Sequence, residues 1–481
     1  MLHFTLLLPI LAVLTAAIPF KRGDSNDPKE YLVSPLPGWD DLPSDYAKPI
    51  QYAGQLELFA ENNTDYFFWK VVDSEKISEN KNRTTFWLQG GPGCSSLQAV
   101  FAENGPFKLN EQRDIIVNEA SWHKISDMVY VDQPPMVGYS DGELIRNLYQ
   151  VQVYFMRFLE KYFALFPDDL ENDIYIAGES YGGQYIPYVA DAILKRNDNL
   201  TDGEAEYKLK GLLIGNGLVS PDEQSLSYID WFKEKSLISD SNPKWGDIND
   251  AQQACQDVVD GKAASPNENY AFSCRSILPI ILEATKNDSA PTDEQCVNIY
   301  DYQLRDSYPS CGSSYPPVSD ITTPYLNSTE IQHDLNVENA VNFSECSTIV
   351  QNSFTAANSP PAKELLPGIV SQIPIVLYNG DLDIICNTNG VLKYLSNLTW
   401  NGATGFDDVD NKSDWIVEDK KAGWVLQDRD ITFINVFNAS HLVPYNKPKM
   451  SRYLFDFVTN EYTKNNKGFV SSPKKGLKVK V

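Results

Sequence analysis

A layered α/β protein with a mostly parallel central sheet is the fold that the sequence predicts. Three observations carry that expectation. Short apolar runs alternate with helix-spaced segments, a serine stands among glycines where one run meets a helix, and the runs resume after a long interruption of different texture. Taken in order, residues 4–17 form an apolar stretch too short to span a bilayer, so residues 1–17 read as a signal peptide. Lys21-Arg22 follows as a candidate dibasic processing site, within a polar, Pro-containing arm over residues 18–64. Strand-like runs stand at residues 55–59 and 65–71. Thr84-Thr85-Phe86-Trp87-Leu88-Gln89 then runs straight into Gly90-Gly91-Pro92-Gly93-Cys94-Ser95-Ser96. Residues 127–132 form another buried-strand pattern, stopped by Gln133-Pro134-Pro135. Over residues 147–166, Phe155, Phe158, Leu159, Tyr162 and Phe163 fall in one helical stripe, read as core packing. Residues 174–177 lead into Gly178-Glu179-Ser180-Tyr181-Gly182-Gly183, with a helix-like stretch from Gln184 to about Lys195 and a further strand at residues 212–217.

The first part of the core thus covers residues 65–220. From 221 to 365 the pattern changes to short helical pieces, Pro, Asn and Ser clusters and five of the seven cysteines, which reads as an inserted cap stapled by disulfides. Apolar runs at 373–380 and 431–437 place the second part of the core at residues 366–465, and a basic tail closes the chain at 466–481.

With 42% hydrophobic and 22% charged residues among 481, the chain is an ordinary globular protein. Its net charge of −25 argues against nucleic acid and against anionic membrane surfaces as partners. Sequons at Asn62, Asn82, Asn199, Asn287, Asn327, Asn342, Asn397, Asn411 and Asn438 fit a glycosylated surface. Seven cysteines in an oxidising compartment imply three bridges and one free thiol. No CxxC or His-rich spacing points to a metal, and no cofactor is expected. After the leader no stretch is apolar enough to be a membrane span, so the expectation is a soluble protein of the secretory pathway, secreted or vacuolar, without a membrane anchor.

A serine at a sharp strand-to-helix turn has the form of a nucleophile elbow. Small neighbours are needed because the turn strains the backbone, and the helix behind it offers free N–H groups to an oxyanion. Such a serine needs a base and an orienting acid, which in the α/β-hydrolase chain order follow it at later strand ends. Asp381 and Asp383 both follow one late strand, and His441 follows the last. His3 lies in the leader, His123 precedes the serine and His333 lies in the expected cap, so His441 is the well-placed base. Gly91-Pro92-Gly93 matches the other oxyanion element, where bare backbone can approach a substrate.

The motifs Gly90-Gly91-Pro92-Gly93-Cys94-Ser95-Ser96, Asp132-Gln133-Pro134, Gly178-Glu179-Ser180-Tyr181, Gly380-Asp381-Leu382-Asp383 and His441-Leu442-Val443-Pro444 resemble those of the serine carboxypeptidases. Within that family, Tyr66-Phe67-Phe68-Trp69, Asp306-Ser307-Tyr308-Pro309-Ser310-Cys311-Gly312 and Asn438-Ala439-Ser440-His441 resemble the fungal Kex-type enzymes, which remove C-terminal Lys and Arg. The resemblance implies an α/β-hydrolase fold with Ser180 as nucleophile, His441 as base and Asp383 as its orienting acid. It further implies oxyanion N–H groups from Gly91 and Tyr181, and substrate-carboxylate binding by Gln89, Gly90 and Glu179, supported by Glu103. Disulfides Cys94–Cys346, Cys255–Cys274 and Cys296–Cys311 are implied as well, with Cys386 left free near the site. The expected substrate is the C-terminal peptide bond of peptides and proteins, hydrolysed through an acyl-enzyme. Acyl transfer or ester hydrolysis on the same scaffold, and a catalytically silent peptide-binding protein, are the alternatives. Three departures stand out: Gln89 occupies a position that is usually Asn, Pro135-Met136-Val137 replaces a smaller stretch, and the C-terminal anchor and acidic tail of the membrane-bound Kex-type enzyme are not expected.

Overall fold

Ten strands form one sheet: β1 (Ile50–Phe59), β2 (Thr64–Val72), β3 (Arg83–Leu88), β4 (Asp127–Val131), β5 (Asp173–Glu179), β6 (Leu209–Gly215), β7 (Ile375–Gly380), β8 (Ser413–Val417), β9 (Lys420–Asp428) and β10 (Ile431–Val436). The computed structural model describes residues 26–464 apart from 74–75, 77–81, 265–268, 339–340 and 411. The leader, Lys21-Arg22, the Asn411 sequon and the basic tail therefore lie outside the described residues. The spatial order is β1-β2-β4-β3-β5-β6-β7-β10-β9-β8. From β4 through β10 in that order every pairing is parallel, and the strands at both edges are antiparallel.

Central parallel strands are covered on both faces, so they read as continuous apolar runs. Alternate residues feed two separate cores. Phe86, Leu88, Ile176 and Ile214 meet the helices Leu148–Leu165 (α1) and Gly182–Asn197 (α2) on one face. Trp87, Ala177, Leu213 and Tyr378 pack on the other face with helix Leu97–Ala102 and with Leu454 and Phe455 from the helix Pro448–Lys464. The stripe expected on α1 is in the first core, and Asn147 caps that helix by accepting from the Gln150 amide. Burying each such aromatic side chain is worth about 1.5–3 kcal/mol.

The edge hairpin of β8 and β9 was not among the expected strands. Its turn residues, Glu418 and Asp419, both take positive φ (48° and 60°), as a two-residue turn between twisted strands requires. Neither is the glycine or asparagine that announces such a turn in sequence.

Between β6 and β7 the chain leaves the sheet and builds a helical cap. Its own core includes Trp231, Phe232, Ile248, Ile277 and Ile281. The bridges Cys255–Cys274 and Cys296–Cys311 lie inside it, and Cys94–Cys346 laces it to the loop after β3. Cys386 is free and buried.

Candidate active site

The residues singled out by sequence converge at the C-terminal ends of the parallel strands, where an open α/β sheet has its crevice. Ser180 sits between the end of β5 and the start of α2 with φ of +58°, the strained left-handed conformation expected of an elbow. The turn is tied down by Ser180 N–H donating to the Gly215 carbonyl (3.0 Å) and by the Ser180 carbonyl accepting from Gly183 and Leu218 (2.9 Å each). Two neighbouring glycines are needed for close approach. A Cβ on Gly178 would stand 2.0 Å from the Leu88 carbonyl oxygen, and one on Gly90 would stand 2.6 Å from Ser180 Cβ and 2.5 Å from Tyr181 N. The glycine run after β3 therefore passes directly against the elbow. This puts the backbone at Gly90, next to exposed Gly91, against the Tyr181 amide.

Asp383 and His441 lie beyond the ends of adjacent strands β7 and β10. His441 Nδ1 is 2.9 Å from Asp383 Oδ2. Asp383 also accepts from Asn216 Nδ2 (2.7 Å), Ile385 N–H (3.0 Å) and Cys386 N–H (3.2 Å). Of the two aspartates that follow β7, Asp381 instead accepts from the Asn438 amide. His441 Nε2, the atom a serine hydroxyl would approach, is buried and makes no hydrogen bond in this structure, so the Ser180–His441 contact is not closed here. The other histidines are occupied elsewhere. His123 is buried against Ser121 and Asp73 and held neutral by burial, its pKa pushed down to about 3, while His333 is exposed beside Asp334.

Beside the elbow lies a second buried cluster. Gln89 Nε2 donates to Glu179 Oε1 (2.8 Å), and Trp87 Nε1–H donates to Gln89 Oε1 (2.8 Å). The indole thereby fixes which way the Gln89 amide points. Glu103 completes the group, its buried carboxyl close enough to Glu179 and Gln89 for each to act on its titration. Burial pushes Glu103 up to about 8. Burial, then the Glu103 charge, pushes Glu179 far above the ordinary carboxylate range. Two carboxyls so placed titrate as a pair, and burial disfavours the state in which both are ionised.

The residues that sequence reasoning missed come from three places. Asn216 stands immediately after β6, and its position at a parallel strand end was the available signal. Trp87 belongs to the β3 run and carried no polar signal. Glu345 comes from the cap. It is carried to the site by Cys346, whose bridge to Cys94 is accompanied by Ser95 N–H donating to the Glu345 carbonyl and Ser347 N–H donating to the Gly93 carbonyl (2.8 Å each). The Glu345 side chain lies beside Ser319 and Gln98, which favour its charged form against burial, and its charge acts on Glu103. Of the departing stretch, Val137 is buried in the core and Met136 packs against it.

Among the described residues, Asp383, Cys386 and His441 form the one group of three or more whose potential ligand atoms lie within 4.8 Å of one another. Asp383 and His441 already bond each other, and burial pushes the Cys386 thiol well above its ordinary range, which keeps it protonated. The donor set suits a hydrogen-bonded acid–base pair better than a metal.

The sequons divide by accessibility. Asn82, Asn199, Asn287, Asn342, Asn397 and Asn438 are exposed, and Asn62 and Asn327 are half-buried. The Asn327 amide is engaged with Thr323 and Phe343. No helix of the described residues is long and apolar enough to cross a membrane.

Residues 43–461 match the sequence model of the serine carboxypeptidases. The pheromone-processing carboxypeptidase KEX1 of Lodderomyces elongisporus is 48% identical over 460 residues, a match covering 93% of this chain and 66% of that protein. The protein of the same name from Debaryomyces hansenii is 48% identical over 468 residues, covering 96% of this chain and 68% of the relative. The chain thus spans about two thirds of the length of these relatives. Among solved structures, the crystal structure of Kex1(delta)p, a prohormone-processing carboxypeptidase from Saccharomyces cerevisiae, superposes with a TM-score of 0.86 at 36% identity, covering 90% of this chain and 96% of that one. With its α/β-hydrolase sheet and capped crevice, the chain belongs to the serine carboxypeptidase family.

Proposed function

We propose that the chain hydrolyses the C-terminal peptide bond of peptides and proteins, favouring a terminal Lys or Arg, through an acyl-enzyme on Ser180. The observation that carries this reading is the adjacency of two clusters: an Asp383–His441 pair on one side of the elbow, and the Gln89–Glu103–Glu179 group on the other.

Ser180 Oγ attacks the carbonyl of the last peptide bond while His441 Nε2 takes its proton, and Asp383 holds Nδ1–H so that the correct nitrogen is free. The N–H groups of Gly91 and Tyr181 receive the oxyanion, and His441 then protonates the departing amino acid. Water repeats the sequence on the ester, restoring Ser180. The substrate's free carboxylate meets Gln89, the Gly90 backbone and the protonated Glu103–Glu179 pair. A hydrogen bond from carboxyl to carboxylate replaces the repulsion of like charges, so only a chain terminus fits.

Glu345 supports the basic preference. It is a half-buried carboxylate whose charge acts on Glu103, and it stands beside Cys346, whose bridge to Cys94 laces this cap segment to the loop after β3. A cationic side chain on the terminal residue would neutralise it there. The fungal relatives that process pheromones and prohormones favour the same assignment. We read residues 65–220 and 366–465 as the hydrolase core, 221–365 as the cap and 18–64 as an arm. The bridged cysteines and exposed sequons support passage through the secretory pathway as a soluble, secreted or vacuolar glycoprotein.

The test is a scan of the C-terminal residue in otherwise identical peptides, run with fluorophosphonate labelling and peptide mapping. Labelling at Ser180 with highest kcat/KM for Lys and Arg is the expected result. A Phe or Leu preference would leave a carboxypeptidase of broader taste, and labelling elsewhere would remove Ser180 from the reaction.

A further inference from the structure

Cap residues 299–302 hydrogen-bond to both catalytic loops at once. The Ile299 carbonyl accepts from the amides of Ile384 (3.1 Å) and Ile385 (3.2 Å), just past Asp383. Tyr302 N–H donates to the Leu382 carbonyl (3.0 Å), just before it. Between them, the Tyr300 carbonyl accepts from the His441 amide (2.8 Å), and the Tyr300 ring lies against the imidazole with centroids 5.1 Å apart. The stretch is itself held from behind. Ile299 N–H donates to the Cys311 carbonyl (2.7 Å), Asn298 Oδ1 accepts from the amides of Tyr300 (2.9 Å) and Asp301 (3.3 Å), and the Cys296–Cys311 bridge closes the loop.

A side-chain bond completes the connection from the far end of the same loop. The Tyr315 hydroxyl is 2.5 Å from Ser440 Oγ, on the residue beside His441. Ser440 Oγ also donates to the Leu442 carbonyl (3.4 Å), so both bonds form together when Tyr315 is the donor. Burial pushes the Tyr315 phenol far above its ordinary range, which keeps that donor proton in place. Tyr315 stacks on Tyr300 and meets the edge of Tyr445.

We infer that this disulfide-closed cap loop, residues 296–316, is a positioning clamp that sets the Asp383 loop against the His441 loop, with the Tyr315–Ser440 bond as its latch. The inference rests on the triad reading above. Its physical basis is the place where the sheet stops. β7 and β10 pair in register up to Gly380 and Val436, and the amides of Asp381, Leu382 and Asn438 still tie one loop to the other just beyond, but among the described residues no backbone bond between the two loops reaches Asp383 or His441 themselves. The cap supplies those bonds from outside. A displacement of about 1 Å in a catalytic group costs up to about 100-fold in rate, so small looseness here is expensive.

The experiment compares Tyr315→Phe, Ser440→Ala and the double variant with the intact protein. It measures kcat and KM on a peptide with a C-terminal Lys, and the rate at which a simple alkyl fluorophosphonate phosphonylates Ser180 with loss of fluoride. That reagent carries no amino-acid side chain and no carboxylate, so it reports the serine–histidine geometry without the substrate pocket. The clamp predicts that each single variant lowers both kcat and the phosphonylation rate by about tenfold, with KM within about twofold. The double variant should be no worse than either single one, because both remove one bond. Thermal melts establish that the variants fold, and Ser440→Ala probes the same bond should Tyr315→Phe not fold. A raised KM with wild-type phosphonylation would make Tyr315 a pocket wall only and overturn the clamp, as would fully additive losses. Absence of phosphonylation in the intact protein would overturn the triad reading itself.

Discussion

Asp383 and Glu179 are equally buried, both 0% exposed, and both stand at the C-terminal ends of the sheet, yet they are supplied with hydrogen very differently. Asp383 accepts from four donors, namely His441, Asn216 and two backbone amides. Glu179 accepts from Gln89 and otherwise faces another carboxyl, Glu103. The first arrangement suits an anion that must face an imidazolium during the reaction. The second suits a shared proton, held ready for a third carboxylate brought by the substrate. Burial alone therefore decides nothing about a carboxyl group. The donors around it decide whether it works as a charge or as an acid.

The largest effects should come from the first cluster. Ser180→Ala, Asp383→Asn and His441→Ala are each expected to lower kcat by several orders of magnitude on a peptide acid while melting behaviour is kept. Their losses should be grossly non-additive, because the three act as a unit. Near-normal turnover in any of them would take that residue out of the mechanism. Next comes Asn216→Ala, which strips one donor from Asp383. A fall in kcat of about 10- to 100-fold with KM little changed is expected, and an effect confined to KM would mean that Asn216 does not act through Asp383.

Smaller effects belong to the second cluster and its surroundings. Glu345→Gln should cut the kcat/KM preference for Lys over Leu at the substrate terminus by about tenfold while leaving a Leu-terminated peptide nearly as good a substrate. Equal losses on both peptides would deny Glu345 a role in selection. The smallest is a stability effect. Burial pushes the Glu103 carboxyl up to about 8 in the folded protein, against 4.5 for an ordinary glutamate. Between those values the folded state holds a proton that the unfolded chain has released, so this contribution is complete below about 4.5 and is lost as pH rises to about 8. Tm should therefore fall as pH is raised through that window, and Glu103→Gln should flatten the slope. An unchanged slope would remove the shared proton from Glu103.

The contrast also explains what could be read from sequence. Ser180, Asp383, His441 and the Gly90–Gly91 turn each follow directly on an apolar strand run, so position along the chain was enough to mark them. Asn216 follows such a run too, but an asparagine before a glycine reads equally as a plain turn. Glu345 has no local signal at all, since it reaches the site through a bridge with a sequence separation of 252 residues. The same holds for Tyr300 and Tyr315, which act across the interface between cap and core. The β8–β9 hairpin was hidden for a different reason, because its left-handed turn is made by Glu418 and Asp419, where tertiary packing overrides local preference. The carboxylate pair was implied by the family resemblance alone, since nothing local marks Glu103 and Glu179 as neighbours. Gln89, held by Trp87 two residues before it, is the group that bonds Glu179.

The most direct test of the shared proton is kcat/KM against pH for a peptide acid and for its matching C-terminal amide. Raising the pH until the coupled Glu103–Glu179 pair has given up its shared proton leaves negative charge facing the substrate terminus, so a substrate that brings its own negative charge should then be repelled. The account predicts that kcat/KM for the acid declines on the alkaline side, through a rise in KM, while the amide keeps its value over the same range. An identical decline for both substrates would contradict it.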